Sequence, residues 1–294
     1  MPDQPLGTAT SPLPPSPRRS VLLAAWGTAW LQGRVGLDDV VAAVSGDDLP
    51  HVVVRPEETS AVDAPWADDA GPAPFAWSLG RLRGAGARGL RAVLPVPGDV
   101  LGVPGPGQFS EAALSVGEGV VVVGTPLGLV PRVERHGTAL EGVTVSVRWE
   151  QHGVPLDRHG PLGGLPQVSE AEQELGSAVR QTTSTLLALD VARWRPDVAG
   201  ALRSLRDGDG TQRGAAALPP GHPQRAVRLY AMAERLATVV ELAGQDEGGA
   251  VAAGEVRCRQ DALTGLARAV HRARLAAANA ALELPDAASR LRRG

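Results

Sequence analysis

The chain has 294 residues, a formal net charge of -3 and a pI near 6.1, which argues against a general electrostatic attraction to nucleic acid or anionic lipid. Hydrophobic residues make up 43% and charged residues 21%, as in an ordinary soluble protein with chain enough for one large or two modest cores. The single cysteine, Cys258, excludes an intrachain disulfide and agrees with a reducing cytoplasm.

The N-terminal segment predicts a leader followed by a helix. Residues 1–17 are rich in proline, serine and threonine and predict a disordered leader. Ser20 is a suitable N-cap, and the apolar spacing after it predicts an amphipathic helix to about residue 32. Arg18 and Arg19 before this apolar run leave a weak export signal as an alternative, although no clear cleavage site follows. A second helix is expected over 37–44.

Short apolar runs predict the first strands of a sheet. The valines after His51 predict a strand that Pro56 ends, and residues 75–83 predict a helix. Residues 90–95 and 120–123 are unbroken apolar runs between glycine and proline, with a short helix expected over 110–116. Such runs are typical of strands covered on both faces, so they predict two strands of a sheet with parallel pairing.

Two further segments predict an antiparallel hairpin. Residues 127–134 are apolar, and Pro131 predicts that their strand lies at an edge or contains a bulge. Apolar and polar residues alternate over 143–150, which predicts a strand that is buried on one face. His136 and Gly137 begin the connection between the two strands. The Gly- and Pro-rich residues after 152 predict the boundary of the sheet unit.

Beyond this boundary the pattern becomes helical. Ser169 with Glu172 predicts a capping box, and apolar residues at helical spacing continue to Trp194. A shorter helix is expected after Pro196, a third helix from residue 223 and a long fourth helix that Pro285 ends. Four amphipathic helices predict a bundle that is either a separate domain or a cover for the sheet.

These elements predict an α+β fold, in which a small mixed α/β sheet unit is followed by an all-α, bundle-like helical unit. The expected divisions are a disordered leader over 1–17, the sheet unit over 18–152, a Gly/Pro-rich linker over 153–166, the helical unit over 167–285 and a basic tail over 286–294. The residues resemble no family signature.

The best candidate site is the loop over residues 97–107, which we name the Gly/Pro loop. It leaves the C-terminal end of a predicted strand, where open α/β sheets place ligands. Its glycines expose backbone N–H groups, and a following helix N-terminus would favour an anion. The spacing matches no nucleotide-binding fingerprint and the prolines remove donors, so a rigid structural connection is the competing interpretation. The candidate ligand-binding residues are Arg88, Arg91, Gly98, Asp99, Gly102, Gly105 and Gly107.

Other chemistry has less support in the sequence. His136, His152, His159 and Asp157 lie in predicted loops without the spacing of a metal centre, so no metal site is predicted. Catalytic residues and cofactors stay unassigned, because no nucleophile elbow or cofactor motif is found. The arginines of the last helix and tail are interspersed with acids and predict a solvated helix face.

Two functions remain open. The first, which we prefer in the absence of a catalytic motif, is a non-catalytic interaction or regulatory module whose helical unit binds a protein partner or a second copy of the chain. The second is an enzyme or sensor for a small anionic metabolite at the Gly/Pro loop. All 29 basic residues are arginine and glycine and proline are frequent, which is typical of a GC-rich bacterial genome. Without a run of ~18 apolar residues no membrane span is predicted, and a cytoplasmic location is expected.

Overall fold

A computed structural model describes residues 18–56, 71–137, 142–155, 164–188, 217–245 and 253–283. Within these ranges a mixed sheet with its helices is followed by a helical region, so the predicted α+β fold is confirmed. The leader, the basic tail and the helix expected after Pro196 lie outside the described residues. No helix in the described ranges combines the length and apolar character that a membrane crossing requires.

Apart from the two-residue strand β2, which was not predicted, the elements follow the predicted order with bounds that differ by a few residues. The sheet part contains α1 (Arg19–Leu31), α2 (Leu37–Ser45), β1 (Val52–Val54), β2 (Ala73–Pro74), α3 (Phe75–Gly84), β3 (Gly89–Val93), α4 (Gln108–Val116), β4 (Gly119–Val123), β5 (Leu127–His136) and β6 (Thr144–Gly153). The helical part contains α5 (Val168–Ala188), α6 (Gln224–Gln245) and α7 (Ala253–Asn279), which continues into a 3-10 turn (Ala280–Leu282).

The strand order is β2-β1-β6-β5-β4-β3, and only β1 and β6 pair in parallel among the described strands. The expectation that the runs at 90–95 and 120–123 are strands of a parallel sheet is wrong, because β3 and β4 pair antiparallel with each other. Val93, the last residue of β3, lies opposite Gly119, the first residue of β4. The Gly/Pro loop and α4 thus return the chain to the end of β3 that it left, which produces an antiparallel pair.

The hairpin of β5 and β6 is confirmed, and the edge position expected from Pro131 holds for that part of β5 but not for the whole strand. β5 is an interior strand, and it pairs with β6 in continuous register from Leu127 to His136. β4 pairs only with residues 127–129 of β5, so Pro131 has a strand neighbour on one side only, at Trp149. A proline is tolerated there because its missing N–H interrupts no second ladder.

Helix α1 lies in the core, which corrects the amphipathic helix predicted for this segment. Ten of its thirteen residues are buried: Ser20, Val21, Leu22, Leu23, Ala24, Ala25, Gly27, Thr28, Ala29 and Trp30. A helix that is apolar on all sides belongs in the interior. The helix also begins one residue before the predicted N-cap, and the N–H of Ser20 donates to the Glu118 carboxylate at 2.9 Å. A distant acid therefore satisfies the N-terminus.

At the start of α5, Glu170 takes the capping position that was predicted for Glu172. The helix begins at Val168, and the backbone N–H of Gln167 donates to the Glu170 carboxylate at 3.0 Å. Glu172 instead forms an ion pair with Arg225 of α6 at 2.6 Å. A sequence with several acids near a helix start offers more than one capping register, and the contact with α6 uses one of those acids.

The two faces of the sheet are covered by cores of different size, and we name them the large face and the small face. Side chains alternate along β3, so Leu90 and Ala92 enter a core shared with α1 and the helical part, while Arg91 and Val93 face the other side. The small core under α4 contains Val93, Phe109, Ala112, Ala113, Val121, Val130 and Val154. Because one continuous core joins sheet and helices, the helices cover the sheet.

The outer edge of β3 is closed by side chains from both halves of the chain. The Thr28 hydroxyl of α1 accepts from the Leu90 N–H at 2.9 Å and donates to the Leu90 carbonyl at 3.0 Å. The Asn279 amide of α7 accepts from the Ala92 N–H at 2.8 Å and donates to the Ala92 carbonyl at 3.1 Å. These groups replace the hydrogen bonds of a missing neighbouring strand and bind α7 to the sheet.

Candidate functional site

The Gly/Pro loop begins with a tight turn over residues 96–99, which we name the 96–99 turn. Val96 and Asp99 each donate a backbone N–H to the other's carbonyl at 2.9 Å. Pro97 and Gly98 occupy the two central positions, and Gly98 has a φ of 83°. Proline followed by a residue with positive φ is the combination that a type II turn requires. The sequence Pro-Gly therefore explains the turn locally.

Asp99 holds this turn against the helical part. Its Oδ1 accepts from the Leu101 N–H at 3.2 Å, and its Oδ2 lies 3.3 Å from Nε of Arg272 in α7. Arg272 also forms a 3.0 Å ion pair with Glu174 of α5. The Asp99 side chain is only 9% exposed. Because both carboxylate oxygens are engaged, Asp99 acts here as a clamp between the turn and α7.

Arg91 of β3 lies beneath Gly102 of the Gly/Pro loop. Arg91 is 1% exposed, and its guanidinium donates to the Gly102 carbonyl at 3.4 Å. Gly102 has a φ of 81°, and a Cβ placed there would lie 3.0 Å from the Leu165 side chain. Gly102 is therefore held closely between Arg91 of the sheet and the Leu165 side chain.

The other predicted residues occupy different places. The Gly105 carbonyl accepts a hydrogen bond from the Ser110 hydroxyl, and Gly107 precedes α4. Arg88 is exposed and precedes β3, whereas the loop follows β3, so the length of the strand separates them. The structure thus brings Gly98 and Asp99 together with α7 and leaves Arg88 apart. Ligand binding by the seven residues stays a prediction.

A cleft of about 380 Å³ lies between the 96–99 turn and helices α6 and α7. This volume is within the range of small-molecule sites. The apolar part of its lining is Val96, Pro97, Ala237, Val240, Ala267 and Val270, and the charged or titratable part is Asp99, Glu241, Arg268, His271 and Arg274. Sheet and helices therefore both contribute walls.

His271 lies where the cleft meets the sheet, and it hydrogen-bonds the backbone of Leu94. Burial lowers the pKa of His271 and the charges of Arg18 and Arg274 lower it further, while Asp99 and the bond to Leu94 raise it. The imidazole is therefore neutral near pH 7. One ring nitrogen donates to Leu94, and the other is left as an acceptor.

Arg274 forms part of a polar network next to His271. Its Nε and Nη2 bind the two oxygens of Glu234 at 2.7 and 2.9 Å. Glu234 also hydrogen-bonds Tyr230, whose pKa is raised by burial and by this carboxylate. A guanidinium has five N–H donors, so the Nη1 group of Arg274 keeps donors that Glu234 does not use. His271 and Arg274 both line the cleft, and each keeps hydrogen-bonding capacity beyond its bonds to Leu94 and Glu234.

Two further charged residues of the cleft are more exposed. Arg268 of α7 and Glu241 of α6 line it, and both side chains are exposed to solvent. Neither takes part in an ion pair with a residue of the described ranges. Within those ranges there is also no group of three or more histidine, cysteine or acidic side chains placed to hold a metal ion.

Sequence reasoning missed the helical wall of this cleft. Arg268, His271 and Arg274 recur at three-residue intervals, a spacing that puts them on one side of α7. The solvated basic face predicted for this helix is wrong in part, because Arg272 and Arg274 form ion pairs. Arg259 is 8% exposed and donates to the Ala243 carbonyl at 2.9 Å. The spacing was visible in the sequence, but the packing of the 96–99 turn against this side of α7 was not.

Two family models match the chain. Residues 20–162 match the N-terminal domain of Rv1486c-like proteins, and residues 169–275 match the C-terminal domain of the same proteins. The interval between the two matches overlaps the predicted linker over 153–166. No solved structure matches the chain.

Similar proteins come from mycobacteria. The uncharacterised protein Rv1486c of Mycobacterium tuberculosis is 31% identical, and the alignment covers 90% of this chain and 96% of that protein. The uncharacterised protein ML1804 of Mycobacterium leprae is 29% identical over 90% of this chain and 97% of its own length. The uncharacterised protein MAV321 of Mycobacterium avium is 32% identical over 61% of this chain and 64% of its own length. The mycobacterial source of these relatives agrees with the bacterial origin predicted from composition.

Proposed function

This chain belongs to the family of Rv1486c-like proteins, and we propose that it is a regulatory module that binds a small anionic molecule. The observation that carries this proposal is the cleft between the 96–99 turn and helices α6 and α7. We propose the anion site there, beside the Gly/Pro loop that the sequence favoured, where the loop meets the helical part.

The lining of the cleft supports binding. Apolar side chains cover its walls, and polar groups with unused hydrogen-bonding capacity converge on it, which is the usual composition of a small-molecule site. Arg268 and the Nη1 group of Arg274 supply donors for an anion. The Gly/Pro loop itself supplies fewer, because the N–H groups of Asp99 and Leu101 already donate to the Val96 carbonyl and the Asp99 carboxylate.

A regulatory role follows from where the cleft lies. One wall is the 96–99 turn, which comes directly after strand β3 in the chain, and the other wall belongs to α6 and α7. A ligand that contacts both walls therefore stabilises the packing of the helices on the sheet. Asp99 and Arg272 already join these walls at 3.3 Å. A ligand with higher affinity for this packing than for a looser one would stabilise the packing by that difference in affinity.

The test is a thermal-shift screen of the full chain against nucleotides, phosphorylated metabolites and organic acids. A ligand at ~100 times its Kd stabilises the folded state by about 2.7 kcal/mol, which raises Tm by a few degrees. We expect one anionic class to raise Tm, and Ala267→Leu, which fills the cleft, to abolish that shift.

Arg257→Gln is the matched control for this screen. Arg257 is an exposed arginine of α7 that does not line the cleft, so its loss should leave the ligand-induced shift unchanged. A shift that persists in Ala267→Leu would place binding elsewhere and contradict the proposal. The absence of a Tm shift with every compound of the panel would also contradict the proposal.

A second candidate function is binding of a protein partner or a second copy of the chain through the helical unit. The observation that favours it is the exposure of Leu187 in α5 and Met232 in α6, at 71% and 37%. Light scattering over a concentration series would show self-association, and Leu187→Gln and Met232→Gln should weaken it. A mass equal to one chain throughout, with no partner in a cross-linking experiment, would contradict this candidate.

A further inference from the structure

We propose that the ligand of the cleft is an amphipathic anion, with a compact apolar body and a single negative group that binds Arg268. This inference rests on the proposed function and specifies the chemical class of the ligand. Three observations carry it: the apolar walls, the pairing of the arginines around the cleft, and the position of Glu241.

The apolar body follows from the walls. Val96 and Pro97 come from the turn, Val240 from α6, and Ala267 and Val270 from α7, so apolar groups lie on all three sides. A fully hydrophilic anion would leave these groups in contact with water. A ligand with an apolar body removes them from water, and this gain scales with the apolar area covered.

The position of the negative group follows from a comparison of three arginines. Arg272 is paired with Asp99 and Glu174, and Arg274 is paired with both oxygens of Glu234. Arg268 has no carboxylate within ion-pair distance among the described residues, and its side chain is exposed. Its charge is therefore the one that a ligand can neutralise without breaking an existing pair.

Glu241 limits the ligand to a single negative charge. It lines the same cleft from the facing helix, and its carboxylate is exposed. A second negative group on the ligand would be repelled by Glu241 and would find Arg274 already paired with Glu234. The cleft instead offers the acceptor of His271 and the donors of Arg274, which suit a neutral polar group such as an amide or a hydroxyl.

The experiment uses two fluorescent probes with the same rings. 8-Anilinonaphthalene-1-sulfonate carries one negative group, and N-phenyl-1-naphthylamine lacks it. Both are titrated into the full chain, and Kd is measured for the wild type and for Arg268→Gln, Arg268→Lys, Glu241→Gln, Ala267→Leu and Arg257→Gln. Circular dichroism confirms that each variant is folded.

We expect Arg268→Gln to weaken binding of the sulfonate about fivefold, as for an ion pair at a partly exposed site, and to leave the neutral amine unchanged. Arg268→Lys should restore most of the lost affinity because it keeps the charge. Glu241→Gln should tighten the sulfonate about twofold, since a repulsive charge is removed. Ala267→Leu should weaken both probes, and Arg257→Gln should affect neither.

The outcomes separate this inference from the proposed function. Weaker binding of both probes to Ala267→Leu would support a ligand site in the cleft. If Arg268→Gln then changes the Kd of both probes equally, the amphipathic anion is overturned while that site stands. The same holds if Glu241→Gln weakens binding of the sulfonate. If inorganic phosphate or citrate gives a thermal shift that Ala267→Leu abolishes, and the sulfonate does not depend on Ala267, the ligand class is again overturned. The proposed function fails only when no anion gives a shift that depends on Ala267.

Discussion

The two faces of the sheet are covered in different ways. α1 and the helical part cover one face and share a single core with it, whereas α4 covers the other with a core of seven residues. The Gly/Pro loop contacts both sides: Gly102 lies over buried Arg91, while Asp99 is joined to α7. The cleft lies on the side of this loop where Asp99 is joined to α7.

Close contacts differ between the faces as well. A Cβ on Gly27 of α1 would lie 2.3 Å from the Leu90 Cδ1, at the end of a flexible side chain. A Cβ on Gly128 of β5 would lie 2.3 Å from the Phe109 ring. The large face adapts by moving a methyl group, whereas the small face must move a ring that fills much of its core. The small face is thus the more rigid in packing.

The largest effect is expected at the joint between the large core and the edge of β3. Asn279→Ala leaves the buried N–H and carbonyl of Ala92 without partners and should lower the free energy of unfolding by about 3 to 4 kcal/mol. Urea denaturation measures this. Thr28→Val, which removes the bonds to Leu90, should cost about 2 kcal/mol. Loss of less than about 1 kcal/mol in Asn279→Ala would show that the joint does not bind the two halves.

The comparison of the faces predicts a difference between two glycines. Gly128→Ala should lower the free energy of unfolding by about 2 kcal/mol, because Phe109 cannot leave the small core without strain. Gly27→Ala should cost less, because the end of Leu90 can rotate away. Thermal unfolding of the two variants side by side is the measurement. Equal losses would remove the distinction between a rigid and an adaptable face.

The clamp beside the cleft should have a smaller effect. Arg272→Gln separates the 96–99 turn from α7 and should lower the free energy of unfolding by about 1 kcal/mol, since Asp99 is mostly buried. Hydrogen exchange at Leu101 should also become faster. Arg225→Gln is the control, because its pair with Glu172 is half exposed and should contribute ~0.5 kcal/mol or less. Equal changes would show that the clamp has no special role.

The smallest effects are expected from pH. Burial lowers the pKa values of His51, His152, His222 and His271, so folding favours their neutral forms. The unfolded histidines titrate near 6.5, so this stability is complete above pH 6.5 and is lost as pH falls toward the lower folded-state pKa values. Denaturation at several pH values should show the decrease in the free energy of unfolding. His152→Gln should make this decrease smaller, because one of these four histidines is removed. Stability that rises on acidification through this window would contradict the assignment.

Patterns within single segments predicted most of the elements. The valines of β1 and β4, the alternation in β6, and the helical spacing of α6 and α7 all depend on residues within one segment, so their elements formed where expected. The type II geometry at Pro97 and Gly98 is equally local. These features were readable because hydrophobic periodicity and turn chemistry act over a few residues.

Contacts between distant segments decided the rest. The antiparallel pairing of β3 with β4 depends on where α4 returns the chain, and the burial of α1 depends on α7 covering its other side. The cleft depends on a turn near residue 97 meeting Arg268 and His271, which lie more than 150 residues later. The sequence determined the turn and the helix separately. Only tertiary packing, driven by the burial of apolar faces that have no fixed partner in the sequence, placed them against each other.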